Sequence, residues 1–388
     1  MDYLQRTWCE IDLDALADNI RILKEIAGKE LMAVVKADAY GHGDRGIALR
    51  LQQEGIRFFA VSNINEAMNL RHFGITGKIL VLGYTPPKLA DLLIVNQIIQ
   101  TVHCLEYGRA LNRAATAGKV LCHLKADTGM SRLGFVISEG EECIDEMTEL
   151  VSCANLDICG IFTHFSCSDS FLKDDVDFTN RQMERLDWAV TELEKRGISL
   201  KTVHAQNSAG ITNYENDRYN VARAGILMYG LRPSDDVKGI VPVKPLLSWK
   251  TVVTMVKEVP AGTDIGYGRT YRTKDSMRVA TLAVGYADGY YRSFSSAADV
   301  LIHGCRCKIL GRVCMDQIMV DVSGISEVEI GDVATLIGRD GKEMITADEL
   351  AKIAGTINYE VVCSISRRVA RVYIQNGEKV EAVDYSVQ

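Results

Sequence analysis

A lysine at the end of an apolar run is the residue of this sequence that is best placed to do chemistry. Lys36 follows the apolar residues 31–35, and Gly41 and Gly43 come shortly after it. Five apolar residues in a row are typical of a strand buried on both faces, as in a parallel sheet. Glycines let the backbone turn sharply and approach a ligand closely. Lys36 could therefore act as a nucleophilic amine, although a solvent-exposed lysine is the simpler interpretation.

Further polar residues lie where other predicted strands end. They are Lys125 and Arg132 after the fifth strand, His164 at the end of the sixth, Asn207 and Ser208 after the seventh, and Arg223, Gly225 and Ile226 in and after the eighth. In a barrel of parallel strands these ends meet at one mouth. The hydroxyls of Tyr40 and Ser208 and the turn at Gly225 are suited to bind phosphate. A lysine beside a phosphate pocket favours pyridoxal 5′-phosphate (PLP), whose aldehyde condenses with a lysine amine.

The elements that must position these residues are predicted from the apolar pattern. The candidate strands are 31–36, 58–62, 79–83, 99–103, 120–125, 158–164, 201–205 and 220–226. Helical patterns between them include 14–27, 65–73, 106–117, 139–153 and 179–196. Eight βα units predict a TIM-type (β/α)8 barrel over residues 11–235, in the α/β class. A doubly wound open sheet is the alternative.

The pattern changes after residue 235. Short β-rich runs separated by glycine turns follow at 252–257, 278–284, 299–303, 308–313, 317–322 and 333–337, with one helix at 346–354. They predict a mostly β C-terminal domain that comprises residues 236–388 and residues 1–10. We expect the run 8–11 to pair with this domain.

Composition limits the functions that are open to the chain. Its 388 residues carry a net charge of -7, which disfavours binding to nucleic acid. No apolar run is long enough to span a membrane, and the N-terminus does not resemble a signal peptide. Eleven cysteines, an odd number in a large chain, argue against a disulfide framework and favour the cytoplasm. His303, Cys305 and Cys307 would share one face of a strand, too close together for a tetrahedral metal site, so no metal is expected.

Several motifs resemble those of the alanine racemase family, and the resemblance covers essentially the whole chain. The residues that carry it are 8–13, 33–43, 123–130, 132–134, 163–165, 207–209, 223–226, 266–268, 285–289 and 314–317. The resemblance implies a PLP-dependent enzyme that interconverts L- and D-alanine. It also implies a homodimer whose active sites are shared between subunits. D-alanine for peptidoglycan is the product that such an enzyme would supply.

The resemblance also implies roles for individual residues in catalysis and cofactor binding. Lys36 would carry PLP and act as a base on one face of the substrate, and Tyr267 of the partner subunit would be the base on the other face. Arg223 would contact the pyridine nitrogen. The phosphate and its surroundings would be held by Tyr40, Asn207, Ser208, Gly225 and Ile226. Two bases on opposite faces suit racemisation, because a proton must leave one face of Cα and return on the other.

Other residues are implied in substrate binding and support. Arg132 and the backbone N–H of Met315 would bind the substrate carboxylate, and Tyr286 of the partner subunit would line the entrance. His164 would support Tyr267 and Arg223. Lys125 matches a lysine that is carbamylated in some family members.

Arg367 departs from the family pattern, since many alanine racemases have tyrosine there. An arginine can still bind phosphate, but it changes the size and polarity of the pocket around the substrate side chain. A serine or serine/alanine racemase is therefore the alternative function. A non-catalytic PLP-binding protein would lack the β domain and Tyr267. A PLP decarboxylase is disfavoured by Arg223, because decarboxylation benefits from an acidic partner at the pyridine nitrogen.

Overall fold

The computed structural model describes residues 6–137, 142–215, 217–234 and 241–385. The chain divides into two compact units. The barrel unit comprises Leu16–Ala39 and Asp44–Lys244, and the β unit comprises Met1–Ala15, Tyr40–Gly43 and Pro245–Gln388. The predicted boundary between residues 235 and 236 lies outside the described residues, and the division into domains at that point stays a prediction. Among the described residues, no helix is long and apolar enough to cross a membrane.

Eight parallel strands form a nearly closed barrel, as predicted. The first strand of the chain, β1 (Thr7–Asp12), belongs to the β unit. The barrel strands are β2 (Glu30–Val34), β3 (Phe58–Val61), β4 (Lys78–Val81), β5 (Ile98–Val102), β6 (Val120–Asp127), β8 (Leu156–Phe162), β9 (Thr202–His204) and β10 (Val221–Ala224). The short β7 (Phe135–Val136) pairs with β6. Ladders join the strands from β10 through β2 to β9. Between β9 and β10, Asn220 N donates to Val203 O at 3.2 Å and Arg223 N to Gln206 O at 3.0 Å.

Helices connect most of these strands. They are α1 (Leu13–Ala27), α3 (Asp44–Gln53), α4 (Ile64–His72), α5 (Ala90–Val95), α6 (Leu105–Ala114), α7 (Glu142–Val151), α8 (Lys173–Lys195) and α9 (Ser208–Asn213), and the segment α2 (Lys36–Tyr40) is a left-handed turn. Helix α1 shows why they form: Asp12 Oδ1 accepts from the N–H groups of Asp14 and Ala15, which caps its first turn. Leu16, Ile20 and Leu23 are spaced three and four apart and are buried. Residues 138–141 are not described, so the predicted start of a helix at 139 is not tested.

Within the part of the β unit that the structure describes, the main sheet has ten strands. Its strands after β1 are β11 (Leu247–Val259), β14 (Met277–Leu282), β15 (Asp299–Ile302), β16 (Cys305–Lys308), β17 (Ile318–Asp321), β18 (Val333–Asp340), β19 (Glu343–Ile345), β20 (Ala370–Gln375) and β21 (Glu378–Val383). Strands β12 (Asp264–Ile265) and β13 (Tyr271–Arg272) form a separate pair, and the helices are α10 (Ala347–Ala354) and α11 (Asn358–Cys363). Strand β1 pairs antiparallel with β11 and parallel with β20, which confirms the predicted pairing of residues 8–11.

Two predictions in this unit were wrong in detail. The predicted strand 308–313 ends at Lys308, apart from an isolated bridge between Ile309 and Val320. Gly311 is left-handed, and serine hydroxyls of residues 295 and 296 accept from backbone N–H groups here in place of a neighbouring strand. His303 lies in the hairpin turn with φ of 51°, outside strand β15.

Candidate functional site

Lys36 begins a left-handed turn directly after β2. The φ values are 53°, 54°, 51° and 54° for Ala37, Asp38, Ala39 and Tyr40. The left-handed conformation costs roughly 1–2 kcal/mol per non-glycine residue, so surrounding contacts must stabilise the turn. Glu66 Oε1 accepts from Ala37 N at 2.9 Å, and Asp38 Oδ1 accepts from Asp44 N at 3.0 Å. Strain of this kind beside a lysine at a strand end marks a candidate site.

His164 lies at the centre of a cluster of cations in the barrel unit. It follows β8, and burial lowers its pKa well below the usual value of 6.5. The positive charges that lower this pKa further belong, in order of effect, to Arg223, Arg132, Lys125 and Lys36. The structure therefore brings together five of the predicted site residues at the carboxyl ends of the barrel strands.

Lys125 is the most deeply buried lysine of this cluster, with 6% of its surface exposed. Its pKa is lowered from 10.5 to about 7, first by burial and then by the charge of Arg223; Asp127 opposes this shift, and Arg132 adds a smaller lowering effect. Its Nζ donates to Ala126 O at 2.7 Å and lies 5.5 Å from the centre of the Phe162 ring. At neutral pH a large share of this side chain is an uncharged, nucleophilic amine.

The guanidinium of Arg223 is 3% exposed and is held by several acceptors. Its Nη1 donates to His204 Nδ1 at 2.8 Å, and its Nη2 contacts His164 Nδ1 at 3.0 Å. The carbonyls of Thr163 and Ala205 accept from Nη2 at 2.9 and 2.6 Å. Arginine has no acceptor, so both imidazoles must present an unprotonated Nδ1 to it. Burial and the charge of Arg223 hold the pKa of His204 well below 6.5, which keeps this imidazole neutral.

Donors for an anion converge where β9 and β10 end. Ser208 Oγ accepts from Gly225 N at 3.0 Å and from Leu227 N at 3.3 Å. Asn207 caps α9, since its Oδ1 accepts from Gly210 N at 2.9 Å. The buried Ile226 opens the 3₁₀ turn Ile226–Tyr229. Both N–H groups donate to the Ser208 hydroxyl in this structure, and a phosphate oxygen that replaced this acceptor could accept from them and from the hydroxyl itself.

Arg132 is exposed on a loop that follows β6. Asp127, the last residue of β6, shapes this loop: its Oδ1 accepts from the N–H groups of Gly129 and Ser131, both at 3.0 Å. Ser131 is left-handed, with φ of 56°. The loop thus presents the Arg132 guanidinium near Lys125 and His164, where its charge lowers both pKa values.

In the β unit, Tyr267 projects from a tight turn between β12 and β13. Gly266 and Gly268 flank it with φ of 74° and 71°, which glycine adopts without strain. The Tyr267 side chain is 68% exposed. It borders a groove of about 720 Å³ whose lining also includes Met255, Cys314 and Met319. A large aromatic side chain held out beside a groove is typical of an interaction site.

Backbone hydrogen bonds join the segment that contains Tyr286 to the segment that contains Met315. Tyr286 N donates to Cys314 O and Ala287 N to Met315 O, both at 3.0 Å. A Cβ atom on Gly285 would lie 2.3 Å from Met315 O, so the two segments can approach closely only with glycine at 285. The Tyr286 and Met315 side chains are 43% and 53% exposed. The structure therefore brings these two predicted residues together.

Arg367 and Tyr40 also lie in the β unit. The guanidinium of the exposed Arg367 lies 5.2 Å from the centre of the Tyr385 ring, in a cation–π contact. Tyr40 is buried, with its ring 6.1 Å from that of Tyr359. The adjoining loop is fixed by Arg371, whose Nε donates to Gly41 O at 2.9 Å.

The sequence did not single out His204 or Phe162. Their rings stack at 4.6 Å with an interplanar angle of 4°. The Arg223 guanidinium lies 5.6 Å from the centre of the Phe162 ring. Both residues end barrel strands, and this position is the signal that could have found them. Among the described residues, no group of three or more His, Cys, Asp or Glu could hold a metal ion.

The chain matches two family models. They are "Alanine racemase, N-terminal domain" over residues 11–233 and "Alanine racemase, C-terminal domain" over residues 246–373. A curated alanine racemase from Clostridium perfringens is 43% identical over 382 residues, which are 97% of this chain and 98% of that protein. One from Methanococcus maripaludis is 41% identical over 95% of this chain and 98% of its own length.

Solved structures agree over the whole chain. Alanine racemase from Clostridium difficile 630 has a TM-score of 0.94 and 38% identity, covering 99% of this chain and 100% of its own. Alanine racemase from Bacillus anthracis with bound L-Ala-P has a TM-score of 0.93 and 36% identity, with both chains covered completely. The motifs, the barrel followed by a β-rich domain, and these matches together show that the chain belongs to the alanine racemase family.

Proposed function

We propose that this protein is a PLP-dependent racemase that interconverts L- and D-alanine. The observation that carries the proposal is the cluster of Lys36, Lys125, Arg132 and Arg223 around a neutral His164 in a chain of this family. Such a mouth attracts a phosphate and a carboxylate at the same time. Supply of D-alanine for peptidoglycan in the cytoplasm is the biological role that we propose.

The residues present fit PLP. Lys36 supplies the amine for its aldehyde, and Ser208 Oγ with the N–H groups of Gly225 and Leu227 suits its phosphate. We assign Tyr40, Asn207, Ile226 and Arg367 to the surroundings of that phosphate. When bound, PLP stabilises negative charge at the substrate Cα. Arg223, a permanent cation with donors alone, would face the pyridine nitrogen and leave it unprotonated.

Substrate binding falls to groups beside this cofactor. Arg132 would pair with the substrate carboxylate, and the N–H of Met315 would donate to it. Tyr286 of the partner subunit would line the entrance. Lys125 is proposed to react with carbon dioxide through its neutral amine, which forms a carbamate and releases one proton. A carbamate at this position would pair with Arg132, and the pKa of Lys125 near 7 supports the reaction at neutral pH.

Proton transfer is assigned to two groups on opposite faces of the substrate. Lys36 would take or return the Cα proton on one face, and Tyr267 of the partner subunit would do so on the other. His164 would support Arg223 and Tyr267. The 68% exposure of Tyr267 beside a groove supports a homodimer in which this side chain is covered. Each half of the reaction then depends on a different chain.

Complementation between inactive variants tests the shared site. Neither Lys36→Ala nor Tyr267→Phe should racemise alanine alone. A mixed dimer of the two retains one site with both bases, so co-expressed chains should recover about a quarter of the wild-type rate in a random mixture. D-alanine is measured with a coupled oxidase. The matched control is co-expression of Lys36→Ala with a chain that carries both Lys36→Ala and Tyr267→Phe. This mixture contains no Lys36 and should recover no racemase activity.

The opposite result is equally clear. If each chain held its own Tyr267, the mixture would stay inactive, and the shared-site scheme would be wrong. Wild-type protein that binds PLP but produces no D-alanine would refute the racemase proposal itself.

One observation favours a second candidate, a serine or serine/alanine racemase. Arg367 stands at a position assigned to the substrate pocket, and its guanidinium could donate to a hydroxymethyl side chain. We expect alanine to be the better substrate and serine to be turned over measurably. A rate for serine above that for alanine would reassign the enzyme.

A further inference from the structure

A chain of buried hydrogen bonds continues from Arg223 into the interior of the barrel. His204 Nε2 lies 3.1 Å from His123 Nδ1, on the side of the imidazole opposite to Arg223. His204 is fully buried and His123 is 1% exposed. His123 lies on β6 two residues before Lys125, so this series of hydrogen bonds runs from the barrel interior towards the mouth. The roles assigned above do not use His123.

The directions of these hydrogen bonds are fixed by chemistry. Arg223 can only donate, so Nδ1 of His204 is unprotonated. A neutral His204 then carries its proton on Nε2 and donates to Nδ1 of His123. Burial lowers the pKa of His123 to about 3, with a smaller effect of the Lys78 charge, so His123 is a neutral acceptor. Both imidazoles are thereby restricted to the Nε2–H tautomer.

Two features of the backbone make room for the His123 ring. The pairing of β6 with β8 shifts register between Cys122 and His123, so that His123 lies opposite Gly160. An ideal Cβ on Gly160 would lie 2.6–2.7 Å from three atoms of the His123 ring. Gly160 has an ordinary φ, so its turn-forming freedom is not the reason for a glycine here. A β-bulge changes the direction of side chains, and here it places a residue that has no Cβ, Gly160, against the imidazole of His123.

We propose that His123 is a positioning residue: together with Arg223 it fixes the tautomer of His204, its acceptor holds the orientation of the His204 ring, and through that ring it holds the orientation of the Arg223 guanidinium. A neighbouring acceptor decides which nitrogen of an imidazole carries the proton. Without His123, the buried Nε2–H of His204 loses its acceptor, so rotation of the ring or exchange of its tautomer costs less free energy than in the wild type. His204 would then present a donor to Arg223, which itself has only donors.

Two substitutions at position 123 separate positioning from packing. His123→Asn retains an acceptor oxygen at nearly the position of Nδ1, whereas His123→Leu fills the space without an acceptor. If His123 only fills space, the variant His123→Leu should retain the His204 tautomer and kcat at least as well as His123→Asn, because leucine suits a buried site better than asparagine. Positioning predicts the reverse order. Gly160→Ala displaces the ring while His123 keeps its chemistry, and Gly324→Ala, with open space around its Cβ, is the control.

The first readout is the tautomer of His204. The chain has seven histidines, so selective ¹⁵N labelling of the PLP-loaded protein gives few signals. We expect a single Nε2–H tautomer for His204 in wild type and His123→Asn, and its loss in His123→Leu and Gly160→Ala. A wild-type His204 protonated on Nδ1 would overturn the proposal. This measurement does not depend on racemase activity, so it stays decisive if the proposed function fails.

The second readout is catalysis, and it rests on the proposed function. In His123→Leu, kcat for alanine should fall by about tenfold or more with KM little changed, because an outer partner is lost and no substrate contact is removed. His123→Asn should stay near wild type, and Gly160→Ala should fall between them. If His123→Leu does not fold, Gly160→Ala and His123→Asn carry the comparison. Equal kcat values for His123→Leu or Gly160→Ala and wild type would refute the positioning role.

Discussion

The buried Lys125 should make the stability of this protein depend on pH in a specific direction. Its pKa is about 7 in the folded chain, against 10.5 for an ordinary lysine. Between these values the unfolded chain binds one more proton than the native chain. The free energy of unfolding therefore rises with pH across this window, and the rise stops above the unfolded pKa.

The size of the effect follows from the two pKa values. At pH 7 half of the native amines are protonated, at pH 9 nearly none are, and an unfolded lysine remains protonated at both. Since each pH unit is worth about 1.4 kcal/mol, the contribution of Lys125 between pH 7 and pH 9 is about 2 kcal/mol. The charges of Arg223 and Arg132 account for part of it.

Urea unfolding of wild type and Lys125→Met in buffer free of carbon dioxide measures this contribution. Other groups titrate in the same range, so the quantity to follow is the difference in free energy of unfolding between the two proteins. That difference should grow in favour of wild type by about 2 kcal/mol from pH 7 to pH 9. Lys195→Met, at an exposed lysine, is the control and should run parallel to wild type. Parallel curves for Lys125→Met and wild type would show that this amine does not titrate near pH 7.

Three other outcomes are expected. Bicarbonate labelled with ¹³C should give a carbamate NMR signal in wild type above pH 7 that is absent from Lys125→Met; equal signals in both proteins would remove Lys125 as the modified residue. Gly41→Ala should destabilise far more than Gly28→Ala, because its Cβ would lie 2.0 Å from Val362 O whereas Gly28 has open space, although both are left-handed; equal midpoints of denaturation would contradict this. Arg367→Tyr should lower serine turnover relative to alanine, and an unchanged ratio in a kinetic panel would separate Arg367 from specificity.

The barrel could be predicted from the sequence because most residues of its strands are buried on both faces of the sheet. Residues of β3 are all buried, so they read as one continuous apolar run. A polar residue at the end of such a run is expected at the mouth of the barrel, and Lys36, Lys125 and His164 are residues of this kind. The turn at Tyr267 could also be predicted from the sequence, because a glycine stands on each side of this residue.

Other features depend on contacts that a linear pattern does not contain. The four left-handed residues after Lys36 include no glycine, so nothing local indicates the turn; contacts such as Glu66 Oε1 with Ala37 N stabilise it. Strand β21 was missed because residues such as Glu378 and Lys379 are exposed at the edge of the sheet and interrupt the apolar pattern. The β-bulge opposite His123 leaves no local trace beyond a glycine at 160.

The cations at the barrel mouth and the neutral imidazoles beneath them depend on each other. Lys36, Lys125, Arg132 and Arg223 all lower the pKa of His164. Burial, reinforced by these positive charges, lowers the pKa values of His164 and His204 and keeps both imidazoles neutral. They can therefore accept hydrogen bonds from Arg223, which an imidazolium could not do. The charges of Lys36, Arg132 and Arg223, together with the protonated fraction of Lys125, repel one another and destabilise the folded chain, a cost that is typical of functional sites. In the proposed racemase, an anionic cofactor and a substrate carboxylate would reduce that repulsion on binding, so the positive charges at the mouth favour the binding of both.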